Sequence, residues 1–293
     1  VIDSAATHSR GDHVRLGAAG GAWEPDLAVA EAEARATLEA IGDRGDAPVV
    51  LWVPGTSAHR VPAGFDRAVD RYMGADARVA VVDYPATWDL RSSVATGVAA
   101  LGMVLDELEQ RGDSGRVVVA GESQGAWVIG ETLTDERRAD LVDRAVLMGH
   151  PSTARHHYAS TDLPMAERYR IVELANPDDH VPVEVNADPD VVLAAMSALG
   201  SGNPAGIVPL ARAVARDPGY GLQAGINALR GSVLSGIATD PHDYGPRMAE
   251  AARLLASDAV DGADLALQVP DVHPDPRLLL DVIEGAAASP PRE

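Results

Sequence analysis

Val117-Val118-Val119-Ala120-Gly121-Glu122-Ser123-Gln124-Gly125-Ala126-Trp127-Val128-Ile129 decides the fold. An unbroken β-branched run enters a turn of small residues and leaves it as an apolar helical segment. A Gly-x-Ser-x-Gly pentapeptide at such a junction forms a sharp elbow with Ser at its tip, and the glycines two before and two after relieve the crowding. The helix that follows points its N-terminal dipole and free N–H groups at any negative charge developing beside the serine. Ser123 therefore reads as a nucleophile. The alternative is an incidental Gly-rich turn in a βα unit.

Outward from the elbow, the first half of the chain repeats the same pattern. Residues 48–53 (PVVLWV), 78–84 (RVAVVDY), 116–120 (RVVVA), 144–148 (RAVLM) and 169–174 (YRIVEL) are short apolar runs. Continuous rather than alternating apolarity suits parallel strands covered on both faces. Between them lie helical stripes, such as Val94, Val98, Leu101, Leu105 and Leu108. The reading is a doubly wound, mainly parallel α/β sheet. Beyond about residue 186 the strand pattern stops. Residues 190–238 read as helices broken at Gly200-Ser201-Gly202-Asn203-Pro204 and Asp217-Pro218-Gly219, with Leu222, Ile226, Leu229, Val233 and Ile237 on one stripe. The expected organisation is a leader and helix over residues 1–46 and a core over 47–186. A helical insertion or lid follows over 187–240, then a His-bearing loop, further helices (one at 277–284) and a Pro-rich tail over 241–293.

Composition sets limits. The 293 residues hold no cysteine, and the 24 basic residues against 44 acidic ones give a formal charge of −20. Disulfides and thiolate metal sites are excluded, and such a charge repels a phosphate backbone, so nucleic acid is a poor partner. No apolar run approaches the roughly 18 residues of a membrane span. Residues 1–12 read as a loose leader without the signal-peptide pattern. His150, His156 and His157 lack accompanying carboxylates at ligand spacing, so neither a metal nor another cofactor is expected.

A serine nucleophile needs a base, and the base needs a carboxylate to fix its tautomer. In chain order the acid follows a later strand and the histidine comes last. Residues 169–174 lead into Asn176-Pro177-Asp178-Asp179-His180-Val181-Pro182, which offers Asp178 and Asp179 in two registers. His180 adjoins the acid and is poorly placed to reach Ser123. His242, in Asp240-Pro241-His242-Asp243-Tyr244, is the preferred base, with His273 in Val272-His273-Pro274 as the alternative. One oxyanion donor is expected from Gln124. The other should come from Pro54-Gly55-Thr56-Ser57 after an early strand, where the Thr56 hydroxyl adds a donor. His59, nearby, reads as a surface residue.

Together these residues resemble the cutinase-like serine esterases of the α/β-hydrolase superfamily. Gly121-Glu122-Ser123-Gln124-Gly125 is similar to their Gly-Tyr-Ser-Gln-Gly, with Glu122 in place of Tyr. Tyr84-Pro85-Ala86 and Gly149-His150-Pro151 resemble further family signatures, and Asp179-His180-Val181 resembles the Asp-x-Val acid loop, which favours Asp179. The Asp-x-x-Val-Pro pattern of other α/β-hydrolases would choose Asp178. The long helical gap before His242 resembles the mycobacteriophage lysin B esterases, which cleave the ester joining mycolic acids to arabinogalactan. Cutinases carry disulfides and this chain has none. The resemblance implies a triad of Ser123, Asp179 and His242, with Thr56 and Gln124 as the oxyanion hole. It also implies a lipid-like ester substrate and an extracellular setting, secreted or phage-delivered. A lipase, thioesterase or acyltransferase using the same acyl-enzyme, or a non-catalytic binding module that kept the elbow, are the rival readings.

Overall fold

The computed structural model describes residues 24–87, 90–112, 115–150, 170–174 and 244–257. The expected insertion, the acid loop, His242, His273 and the helix at 277–284 lie outside the described residues. Helix α1 (Leu27–Ile41) precedes strand β1 (Val49–Val53), and the chain continues through α2 (Phe65–Met73), β2 (Arg78–Val81), α3 (Leu90–Arg111) and β3 (Val117–Glu122). Then come α4 (Gln124–Thr132), α5 (Glu136–Leu141), β4 (Arg144–Met148) and β5 (Ile171–Leu174). A 3₁₀ turn (Gly245–Arg247) leads into α6 (Met248–Ala256). None of the described helices is long and apolar enough to cross a membrane.

All strand pairs are parallel, in the order β2-β1-β3-β4-β5. Side-chain alternation along each strand sorts the core into two layers. Val49, Leu51, Val53, Val117 and Val119 pack against α1, α3, α4 and α5. Val50, Trp52, Val118, Ala120, Val146 and Met148 meet α2 and α6 on the opposite face. The stripe of Val94, Val98, Leu101, Leu105 and Leu108 is buried, which explains why α3 holds although Gly97 and Gly102 lie within it. At Gly97 a Cβ would stand 2.8 Å from Val128 Cγ2 and 3.1 Å from the Tyr84 ring, so the glycine lets α3 close on α4 and Tyr84.

Two connections fix where a site can form. From β1 the chain steps to β2 on one side, then crosses back over β1 to β3 on the other. This reversal opens a crevice beyond the carboxyl ends of β1 and β3, where ligands of open α/β sheets bind. At the opposite edge, arginines satisfy the exposed carbonyls at the end of α6. Arg116 donates to the carbonyls of Leu255, Ala256 and Ser257 at 3.1–3.3 Å, and Arg144 to Ser257 at 3.0 Å.

Candidate active site

Ser123 stands at the crevice, between the last residue of β3 and the first of α4, with φ 53° and ψ −119°. A non-glycine residue in this region costs on the order of 1–3 kcal/mol and persists only when its surroundings enforce it. The enforcement is visible. The Ser123 N–H donates to Met148 O at 2.8 Å, tying the elbow to the end of β4, and Trp127 N–H returns to Ser123 O at 3.2 Å. The flanking glycines are a steric requirement rather than a loose preference. A Cβ on Gly125 would lie 2.1 Å from Val53 O, and one on Gly121 2.7 Å from the same oxygen. Ser123 itself remains partly open to solvent.

The loop after β1 lies directly against the elbow. A Cβ on Gly55 would be 3.2 Å from Glu122 O and 3.4 Å from Ser123 Cβ, so any side chain there would press on the elbow. Thr56 follows, and the structure brings it to Gln124. Gln124 Nε2 donates to Thr56 Oγ1 at 3.2 Å and to Thr87 O at 3.0 Å, while Gln124 Oε1 accepts from the Ser93 hydroxyl at 2.7 Å. Because the Thr87 carbonyl only accepts, the amide orientation is fixed. Thr56 Oγ1 accepts from Gln124, so its own proton is left to donate elsewhere. Among the described residues, neither the Gln124 N–H nor the Thr56 N–H meets a backbone carbonyl. Among the described residues, three donors at the elbow and the loop against it are therefore uncommitted.

Ser93 and Thr87 complete this arrangement, Thr87 N–H donating to Ser93 Oγ at 3.1 Å, and neither was singled out from sequence. For Ser93 the one signal is its place in a small and polar stripe on α3, with Thr96, Gly97 and Ala100 at helical spacing, and Thr87 has none. Tyr84 acts from below. Its hydroxyl donates to Pro54 O at 2.8 Å. Burial first, then the nearby charges of Asp83 and Glu122, push its pKa well above the ordinary phenol value, so it stays a donor at any working pH. The sequence suggested a strand through Tyr84, yet β2 ends at Val81. The chain leaves the sheet there because Asp83, Tyr84 and Ala86 turn toward the β1 loop, with Ala86 at φ 46°.

Of the expected site residues, Ser123, Thr56 and Gln124 come together. Asp178, Asp179, His180, His242 and His273 lie outside the described residues. His59 is exposed, and its Nδ1 donates to Asp83 Oδ1 at 2.9 Å. His150 is buried beyond β4.

A model of the cutinase family matches residues 54–191, a span that begins on the Thr56 loop, contains Ser123 and ends past Asp179. No curated protein matches the sequence. Among solved structures, the chain is similar to an acetyl xylan esterase at 17% identity over 56% of this chain and 97% of that one, TM-score 0.37. It is similar to a Trichoderma reesei cutinase in complex with a C11Y4 phosphonate inhibitor at 18% identity over 62% and 87%, TM-score 0.38. A cutinase-like protein from Cryptococcus sp. matches at 13% identity over 64% and 97%, TM-score 0.38. With its parallel sheet, its elbow and the cutinase-family match over residues 54–191, the chain has the α/β-hydrolase fold.

Proposed function

We propose that this protein is a serine esterase that hydrolyses carboxylic esters of lipid-like acids through an acyl-enzyme. One observation carries the reading. The strained Ser123 sits at the sheet's switch point, beside the uncommitted N–H groups of Thr56 and Gln124 and a Thr56 hydroxyl whose proton is free. That is the arrangement that attack on a carbonyl requires.

In this mechanism Ser123 Oγ attacks the ester carbonyl carbon while His242 takes its proton. Asp179 holds the imidazole in the tautomer that accepts at Nε2. The carbonyl oxygen becomes an oxyanion that Thr56 and Gln124 bind. Collapse expels the alcohol, which leaves with the proton from His242, and water then cleaves the acyl-enzyme with the same histidine as base.

Asp179 is supported by the sheet. Strand β5 ends at Leu174, whose carbonyl accepts from Gly149 N–H at 2.9 Å, so β5 finishes on the elbow's side of the sheet, five residues before Asp179 in sequence. His242 over His273 is supported by the course of α6. Arg116 and Arg144 hold the end of α6 at the amino edge of β3 and β4. The 3₁₀ turn and α6 together rise about 19 Å, comparable to β3's own length of about 20 Å. In sequence His242 comes three residues before the start of that rise at Gly245, whereas His273 follows the end held at the far edge.

Within this reading, the resemblance to lysin B esterases favours mycolyl-arabinogalactan as the ester, hydrolysed outside the cell by a secreted or phage-delivered enzyme. The test uses p-nitrophenyl esters and a fluorophosphonate label. Ser123→Ala is expected to abolish turnover and labelling while its circular dichroism matches the wild type. Octanoyl esters are expected to outpace acetyl esters. Undiminished turnover in Ser123→Ala overturns the serine assignment, and an acetyl preference overturns the lipid one.

A further inference from the structure

Among the described residues, three non-glycines have positive φ: Ser57 at 62°, Ala86 at 46° and Ser123 at 53°. All three stand just beyond the carboxyl ends of β1, β2 and β3, and the first two are bonded to each other, Ser57 N–H to Ala86 O at 2.7 Å. Such backbone conformations hold only when their surroundings fix them. For the 54–59 loop, two consecutive residues do the fixing. Tyr84 donates its hydroxyl to Pro54 O at the loop's beginning, and Asp83 Oδ1 accepts from His59 Nδ1 at its end. Asp83 Oδ1 also accepts the Tyr84 N–H at 2.9 Å, so the carboxylate is itself held in place. A carboxylate can only accept, which sets the proton on His59 Nδ1.

We propose that His59 and Asp83 are positioning residues for ester hydrolysis: their hydrogen bond pins the far end of the 54–59 loop and so keeps the Thr56 hydroxyl aimed at the developing oxyanion. The inference rests on the esterase reading above. His59 and Asp83 are 55% and 30% exposed, and a pair so placed adds little to global stability. Its effect should therefore appear in the rate rather than in the fold, because a small misplacement of an oxyanion donor is costly where a surface contact is not.

The experiment measures kcat and KM on p-nitrophenyl butyrate, per active site titrated with fluorophosphonate, together with the urea midpoint. His59→Ala and Asp83→Ala are expected to lower kcat about tenfold, with KM within about twofold and the midpoint near wild type. His59→Asn keeps a donor where Nδ1 stood, and Asp83→Asn keeps an acceptor, so each should recover most of the loss. In a Thr56→Val background, most of the His59→Ala effect should vanish, since the latch acts through that hydroxyl. Wild-type kcat in both alanine variants, a loss confined to the midpoint, or full additivity with Thr56→Val overturns the inference while Ser123-dependent turnover still stands. A wild type without turnover, or with turnover that Ser123→Ala retains, brings down both readings together.

Discussion

Gln124 Nε2 donates to Thr56 Oγ1 across 3.2 Å, joining the first residue of the elbow helix to the loop that follows β1. The two residues are 68 apart in sequence, and each has its neighbours' support: Ser93 and Thr87 for Gln124, Tyr84 and Ala86 for the loop around Thr56. Preorganisation of this kind is what makes an oxyanion donor effective, since no dipole must turn during the reaction.

Thr56→Val therefore removes one donor without removing bulk. The loss of such a donor typically raises the barrier by about 2.7–4 kcal/mol, or about 10²–10³ in kcat. The expected result is a kcat reduced on that scale with KM little changed, read by steady-state kinetics on a p-nitrophenyl ester. The buried Gln124 amide also loses an acceptor, so the urea midpoint should drop slightly. A variant with wild-type kcat would remove Thr56 from the oxyanion site.

Gly125→Ala tests the elbow's packing instead. The added methyl would meet Val53 O at 2.1 Å and Pro54 O at 2.6 Å, both rigid backbone atoms of the central strand and its exit. Overpacking typically costs about 1–3 kcal/mol, and backbone on both sides leaves no side chain to yield, so the cost should reach the top of that range or exceed it. Gly112→Ala is the contrast. It has open space and only a φ of 66° to contend with, for a cost of about 1–2 kcal/mol. Chemical unfolding of both variants should rank Gly125→Ala as the more damaging, with esterase activity lost as well.

Tyr84→Phe separates the loop's support from the bulk of its ring. The ring fills the space against Gly97 either way, while the lost hydroxyl leaves the Pro54 carbonyl without that donor. A net cost of about 1 kcal/mol is expected from one buried hydrogen bond. The urea midpoint should fall accordingly, and kcat should fall with it because Pro54 begins the oxyanion loop. An unchanged midpoint and an unchanged kcat would mean that the bond carries neither.

The elbow was legible because five consecutive residues dictate it: the glycines at 121 and 125 and the apolar runs on either side leave few backbone solutions. The parallel sheet was legible for a similar reason, since strands buried on both faces read as unbroken apolar runs such as Val49–Val53. Contacts between distant loops were not. Nothing periodic links Thr56, Thr87, Ser93 and Gln124, and a serine near the start of a helix gives no hint that its hydroxyl orients a glutamine. Asp83 and Tyr84 read as the end of a strand because their apolar and aromatic neighbours mask residues recruited to grip another loop. His59 read as a surface residue, and exposed it is, yet its bond to Asp83 joins two loops at the crevice. Asp178 and Asp179 are adjacent and fit two registers, while His242 and His273 sit in two similar Pro-flanked loops, and all four lie outside the described residues.

Glu131 gives the protein a stability that depends on pH. It is buried in the last turn of the elbow helix, where its Oε1 accepts from Trp127 Nε1 at 2.9 Å. Burial raises its pKa from 4.5 to about 7, and the Trp127 bond offsets only part of that rise. Between those values the folded protein keeps a proton that the unfolded chain has released, so stability falls as pH rises across the window. The total amounts to about 3 kcal/mol, in full effect above the folded value and absent below the unfolded one. Glu131→Gln keeps the acceptor for Trp127 and removes the ionisation. Urea unfolding from pH 4.5 to 8 should show the variant close to wild type at the acid end and clearly more stable at the alkaline end. Identical slopes in the two proteins would mean that Glu131 ionises as readily in the native state as in the unfolded chain. In that case the apolar surroundings of α4 would have to admit water, because burial is what holds the proton on.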